Sequence, residues 1–133
     1  MLTFRQAVEA KDAAAIEAML ADDVVFTSPV AFKPYPGKAI TAAILRGVMR
    51  VFEDFRYVRE IQDGVHHVYE FEATVDGLEI NGCDLLTFDE DGKIIDFKVM
   101  VRPLRAAEAL AGRMGAQFEA IKADAVSRLS AAE

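Results

Sequence analysis

A single cysteine, Cys83, excludes an internal disulfide and cannot build a thiolate metal site alone; its place in a strand pattern reads as a small packed side chain. Basic residues are also in deficit: 15 Lys and Arg face 22 Asp and Glu, for a net charge of -7 and a pI near 4.8. Such a chain lacks the cationic surface that displaces counterions from nucleic acid or docks on anionic lipid. No apolar run is long enough to span a bilayer, and residues 1–6 lack the apolar core of a secretion signal, so a cytoplasmic protein is expected. The two histidines, His66 and His67, are adjacent; on a strand they point to opposite faces and cannot share a metal. Ser–His–Asp spacing and Gly-rich phosphate loops are missing too, so neither metal nor cofactor is expected. What is abundant is apolar: 53% of 133 residues, enough for one domain with a real core and too few for two.

The apolar residues change period along the chain. Thr3 and Gln6 have capping-box spacing ahead of a stripe of Phe4, Ala7 and Val8, and Asp12 can cap a second helical stretch carrying Ile16, Met19 and Leu20. Asp22-Asp23 predicts a break into a short strand, 24–28, stopped by Pro29; the two prolines within 33–37 predict a loop. Helical spacing returns over 38–52 with Ile40, Ile44, Leu45, Val48, Met49 and Phe52. Asp63-Gly64, Asp76-Gly77 and Asp91-Gly92 then read as three hairpin turns in a meander of strands 55–62, 65–75, 78–89 and 93–101, ended by Pro103. From Leu104 a narrow seam of Ala107, Ala111, Met114, Phe118, Ile121 and Ala125 predicts a final helical region, weakened in the middle by Gly112 and Gly115, so that the last stretch is expected to continue it, to form a separate helix or to fray. Helices followed by a curved antiparallel sheet make an α+β plan in which the helices cover one sheet face and enclose a conical cavity.

Asp84 is the informative residue. It shares strand parity with Leu78, Ile80, Gly82, Leu86 and Phe88, so an acid points to the apolar side, where it must find a partner, shift its pKa or serve a ligand. A two-residue Asp76-Gly77 loop puts Tyr69 opposite Asp84 and His67 diagonal to it. At Asp91-Gly92, a two-residue loop puts Asp84 opposite Val99, inside an apolar wall. A three-residue loop would put it opposite Lys98, as half of a surface ion pair. The first register keeps both apolar sets on one face and is preferred. Asp84 is then either a carboxylate satisfied by Tyr69, Lys98 or backbone, or the polar group of a pocket. Packed strand side chains are the ordinary reading of His67 and Tyr69.

Several phrases, among them Leu20-Ala21-Asp22-Asp23-Val24-Val25-Phe26-Thr27-Ser28-Pro29, Gly37-Lys38-Ala39-Ile40, Asp84-Leu85-Leu86-Thr87-Phe88 with the following Asp89-Glu90-Asp91-Gly92-Lys93-Ile94, and Met100-Val101-Arg102-Pro103-Leu104, resemble the SnoaL-like branch of the NTF2-like superfamily. The resemblance implies a cone-shaped α+β barrel over 1–112, with 113–133 as a helical extension of the same domain. This fold carries polyketide cyclases, ketosteroid isomerases, epoxide hydrolases, dehydratases and non-catalytic binders, so activity does not follow from it. Asp84 falls in the slot of the isomerases' oxyanion-hole aspartate and of the cyclases' acid/base aspartate. Ser28 stands where the isomerases keep their base and Phe4 where they keep a tyrosine, so steroid isomerisation by their mechanism is not expected. The Asp–Arg–Asp arrangement of limonene-type epoxide hydrolases is not evident either.

The site expected on these grounds is an apolar pocket of Phe26, Phe32, Met49, Phe52, Phe71, Phe97 and Val99, with Asp84, Tyr69, His67 and Ser28 as its polar groups. It suits a small hydrophobic molecule bearing a carbonyl or hydroxyl. Asp84 acts as acid/base with Tyr69 or His67 polarising the oxygen, in isomerisation, cyclisation or dehydration; or the pocket binds without chemistry; or it is vestigial and the protein works as a dimer. A homodimer is expected in each case, through the outer sheet face of Val58, Val68, Cys83, Leu85 and Met100.

Overall fold

A computed structural model describes residues 2–131, among which lie five helices and six strands. The first elements follow their capping signals. In α1 (Phe4–Glu9), Thr3 Oγ1 accepts from the Gln6 amide at 3.2 Å and Gln6 Oε1 accepts from the Thr3 amide at 3.0 Å. Asp12 caps α2 (Ala13–Met19) by accepting from the Ala15 amide at 3.0 Å.

Strand β1 (Leu20–Thr27) starts earlier than the acid pair predicts. Leu20, Ala21 and Val24 are buried while Asp22 and Asp23 are exposed, sitting in the register shift between Leu20 and Val25. The acids project from the strand without ending it. A second departure is β2 (Tyr35–Pro36), a short strand where a loop is predicted. It is an edge strand, one of the few places in a sheet that tolerates a proline such as Pro36. Helix α3 (Lys38–Val51) then turns its buried face, including Ala42, Ala43 and Gly47, toward the sheet and the C-terminal helices.

The meander is β3 (Glu53–Asp63), β4 (His66–Val75), β5 (Leu78–Phe88) and β6 (Ile94–Arg102). The sheet order is β2-β1-β6-β5-β4-β3, antiparallel except for the parallel β1–β6 pair. The curved sheet stays open, with β2 and β3 at its edges; helices, not strands, supply the remaining wall of the expected cone.

The turns decide the register. Asp76 and Gly77 both take positive φ, 52° and 77°, so their two-residue loop pairs Val75 with Leu78 and Tyr69 with Asp84. The last hairpin reaches the preferred register by another route. Its loop spans 89–93, held by Asp89 Oδ1 accepting from the amides of Asp91 and Lys93, each at 2.9 Å. Phe88 then pairs with Ile94, and a bulge restores the parity that sets Asp84 opposite Val99.

Of the alternatives for the C-terminal seam, the structure has the separate helix: α4 (Leu104–Ala116) is followed by α5 (Phe118–Ala131). α4 runs across residue 113, where the extension was expected to begin. The break at Gln117 changes the phase: Ala106 and Leu110 are buried in α4, Ile121 and Ala125 in α5. One apolar cluster lies between the sheet and α1, α2, α3 and α5, and a smaller one lies under α4. No helix among the described residues is long and apolar enough to cross a membrane.

Candidate functional site

Asp84 sits in mid-β5 on the buried face, 7% exposed, between Tyr69 on β4 and Val99 on β6. Close packing around it leaves no room for a larger residue at Gly82: a Cβ there would collide with the Met100 carbonyl oxygen and lie 2.6 Å from Phe71 Cζ. The acid's hydrogen-bond partner among the described residues is Tyr57, whose hydroxyl donates to Oδ2 at 2.6 Å. Tyr57 is itself buried and held by rings: Phe55 edge-on at 5.1 Å, Tyr69 at 5.5 Å and Phe4 at 6.4 Å.

These surroundings set the electrostatics. Burial pushes the Asp84 carboxyl up from 3.8 to about 7, with the Tyr57 hydrogen bond pulling it down. The Tyr57 hydroxyl is raised well above its usual 10.0, first by burial and then by the Asp84 charge beside it. At neutral pH the acid therefore passes readily between protonation states while the tyrosine stays a donor.

In front of Asp84 and Tyr57 opens a cavity of about 290 Å³. Its walls are mostly apolar, from α1, β1, α3, the sheet and the C-terminal helices. Ser28, whose Oγ accepts from the Val30 amide at 3.1 Å, and Tyr35 are further polar groups on the wall, and Glu9 and Lys11 are its charged ones besides Asp84. A mainly apolar cavity with a few polar groups and one perturbed acid is the usual form of a small-molecule site. Among the described residues, no three His, Cys, Asp or Glu side chains are grouped to hold a metal.

Of the expected pocket residues, Phe26, Ser28, Met49, Phe52, Phe71, Phe97, Val99 and Asp84 line this cavity. Phe32 does not. It is fully exposed, because the 29–34 segment turns Pro29, Val30 and Ala31 to the cavity and Phe32 to solvent. His67 and Tyr69 also lie off the cavity wall. Tyr69 is opposite Asp84 in register, yet its hydroxyl is hydrogen-bonded to His67 Nδ1 at 3.0 Å, and His67 packs on Phe88 at 4.5 Å. The Tyr69 hydroxyl is pushed up to about 12, first by burial, then by Glu60 and Asp84. The phenol that reaches Asp84 comes instead from β3.

Sequence reasoning missed Tyr57 and the C-terminal wall. The shared parity of Phe55 and Tyr57 was the readable signal. It is obscured downstream because the bulge at Val58 reverses the faces, placing Glu60 opposite Tyr69 and Ile61 opposite Val68.

The fold is a curved sheet covered on one face by helices, with a mainly apolar cavity between them. Residues 2–97 match the SnoaL-like domain, and the chain belongs to that family. It is similar to a steroid delta-isomerase from Pseudomonas aeruginosa at 41% identity, covering 88% of this chain and 87% of that one, with a TM-score of 0.83. A protein with a cystatin-like fold from Silicibacter pomeroyi DSS-3 shares 38% identity over 86% of this chain and 81% of its own, with a TM-score of 0.82. An LEH-like epoxide hydrolase from M. tuberculosis, at 22% identity, 86% and 89% coverage and a TM-score of 0.59, shares the fold. No curated protein matches the chain.

Proposed function

We propose that the cavity takes a small hydrophobic carbonyl compound and that Asp84 moves a proton at the carbon next to its carbonyl. The ionised carboxylate accepts that proton as the C–H electron pair passes into an enol or enolate, and returns it to the same or a conjugated carbon. Isomerisation, cyclisation and dehydration of such compounds share this step, and it needs no cofactor. The observation that carries the reading is a buried carboxyl, raised to about 7, with one oxygen held by Tyr57 and an apolar cavity before it.

Tyr57 orients the carboxyl and favours its ionised form, whereas Tyr69 and His67, expected to polarise the ligand's oxygen, lie off the cavity wall. Likeness to a protein named a steroid delta-isomerase supports proton transfer as the class. Ser28 and Phe4 at the family's base and tyrosine positions make Asp84 the proton carrier here. The same two residues favour a second reading, in which Asp84 stays neutral and binds the ligand's oxygen without chemistry.

Deuterium incorporation from D₂O beside the carbonyl of an added cyclic ketone, followed by NMR, tests the proposal. Exchange catalysed by the wild type and abolished in Asp84→Asn supports it. Binding without exchange leaves the second reading; neither binding nor exchange removes both. We extend the proposal to a homodimer through the outer sheet face, where Val58, Ile61 and Met100 are 47%, 53% and 53% exposed. A monomer in sedimentation at micromolar concentration would refute that part.

A further inference from the structure

We infer that the C-terminal helix pair selects the ligand by size: Met114 and Phe118, on either side of the Gln117 break, form a wall that limits how long an apolar body the cavity accepts. This rests on the reading of the cavity as a binding site for a carbonyl compound. Both residues line the cavity, as does Ile121 one turn further on. All three lie beyond the residues 2–97 that the SnoaL-like domain comprises, so the wall is outside the part of the chain that carries the family's pattern.

The wall is fixed in place. Gln117 joins the two helices and is clamped to α3 at both ends of its amide: Nε2 donates to the Gly47 carbonyl at 3.3 Å, and Oε1 accepts from Arg50 Nε at 2.7 Å. Gly47 is the seat for the helices. A Cβ there would come within 3.0 Å of Ile121 Cδ1 and 3.3 Å of Met114 Cε, so the missing side chain lets Ile121 and Met114 pack closely on α3. Phe118 is 42% exposed although it lines the cavity, which puts it at the solvent side, with Lys122 Nζ over its ring at 4.7 Å. Asp84 and the wall residues line the same cavity, so a ligand held by the acid shares its space with them.

A cavity of about 290 Å³ with mostly apolar walls sets the class: cyclic ketones or enones whose ring number the wall limits.

The test is affinity, by calorimetry, for cyclic enones of one, two, three and four fused rings, on wild type, Met114→Ala and Phe118→Ala. Wild type should bind best at one ring number and lose affinity above it. Each truncation should move the preference toward more rings, changing the affinity ratio of large to small by on the order of tenfold, the discrimination a methylene or two yields in an apolar pocket. Phe118 is partly exposed, so its truncation spares the fold, and thermal melts of both variants check this. Wild type binding the series with an unchanged ranking in both folded variants overturns the inference and leaves the proton-transfer reading standing. Wild type preferring four rings overturns it as well. Binding of no member removes the pocket reading and this inference together.

Discussion

The Tyr57 hydroxyl donates to Asp84 Oδ2 at 2.6 Å from the neighbour-but-one strand, β3, while the tyrosine directly opposite Asp84 on β4, Tyr69, turns its hydroxyl to His67. The pairing separates two tyrosines that look equivalent in a strand pattern. Tyr57→Phe should lift the Asp84 midpoint further, since it removes the one interaction that lowers it, and should destabilise the fold by about 1–3 kcal/mol where Asp84 is ionised. The acidic limb of the exchange rate against pH, where Asp84 ionises, should move up with it. Tyr69→Phe should leave that limb in place; equal shifts from both variants would contradict the assignment.

Asp84 works against stability. In the unfolded chain its carboxyl ionises near 3.8, in the folded one near 7. Between those values the unfolded state has released the proton and the folded state still holds it. Stability therefore falls as pH rises through that window, by about 4 kcal/mol in all, and is level on either side. Asp84→Asn removes this loss. Urea titrations at pH 8 should find the variant more stable than wild type by on the order of 1–4 kcal/mol, with the gap nearly closed at pH 4. A variant less stable at both pH values would count against the burial of a carboxyl whose partner is a phenol and not a cation.

Gly82 should tolerate nothing larger. Its Cβ site is filled by the Met100 carbonyl and the Phe71 ring, both on neighbouring strands and unable to withdraw cheaply. Gly82→Ala should cost about 1–3 kcal/mol or prevent folding, read by thermal melting. Gly112→Ala, where nothing lies within 4 Å, should be neutral or mildly stabilising.

Phe32 and His67 give a further contrast. Phe32 is fully exposed and His67 is engaged with Tyr69 and Phe88, both off the cavity wall. Phe32→Ala and His67→Gln should each leave ligand affinity and exchange rate within about twofold of wild type. A tenfold loss in either would return that residue to the site.

Local chemistry explains what the sequence makes legible. Asp76-Gly77 specifies its turn through two positive φ angles, so the Tyr69–Asp84 register follows from two residues. Strict alternation along β5 makes the inward facing of Asp84 readable in the same way. The last hairpin is legible only as a parity, since its wider loop and its bulge cancel. β3 is where period-2 reading fails: the Val58 bulge mixes its faces, so Tyr57 carries no more signal than any strand aromatic. The cavity's outer wall depends on a helix break at Gln117 held by contacts from α3, a relation between residues 67 positions apart that no local pattern encodes.

Titration of the Asp84 side-chain carboxyl by carbon-detected NMR tests the central claim most directly. A midpoint near 7, with Asp84→Asn identifying the resonance and Tyr57→Phe moving it upward, is the expected result. A midpoint near the ordinary 3.8 would mean that the carboxylate is solvated or paired, and would contradict the site described here.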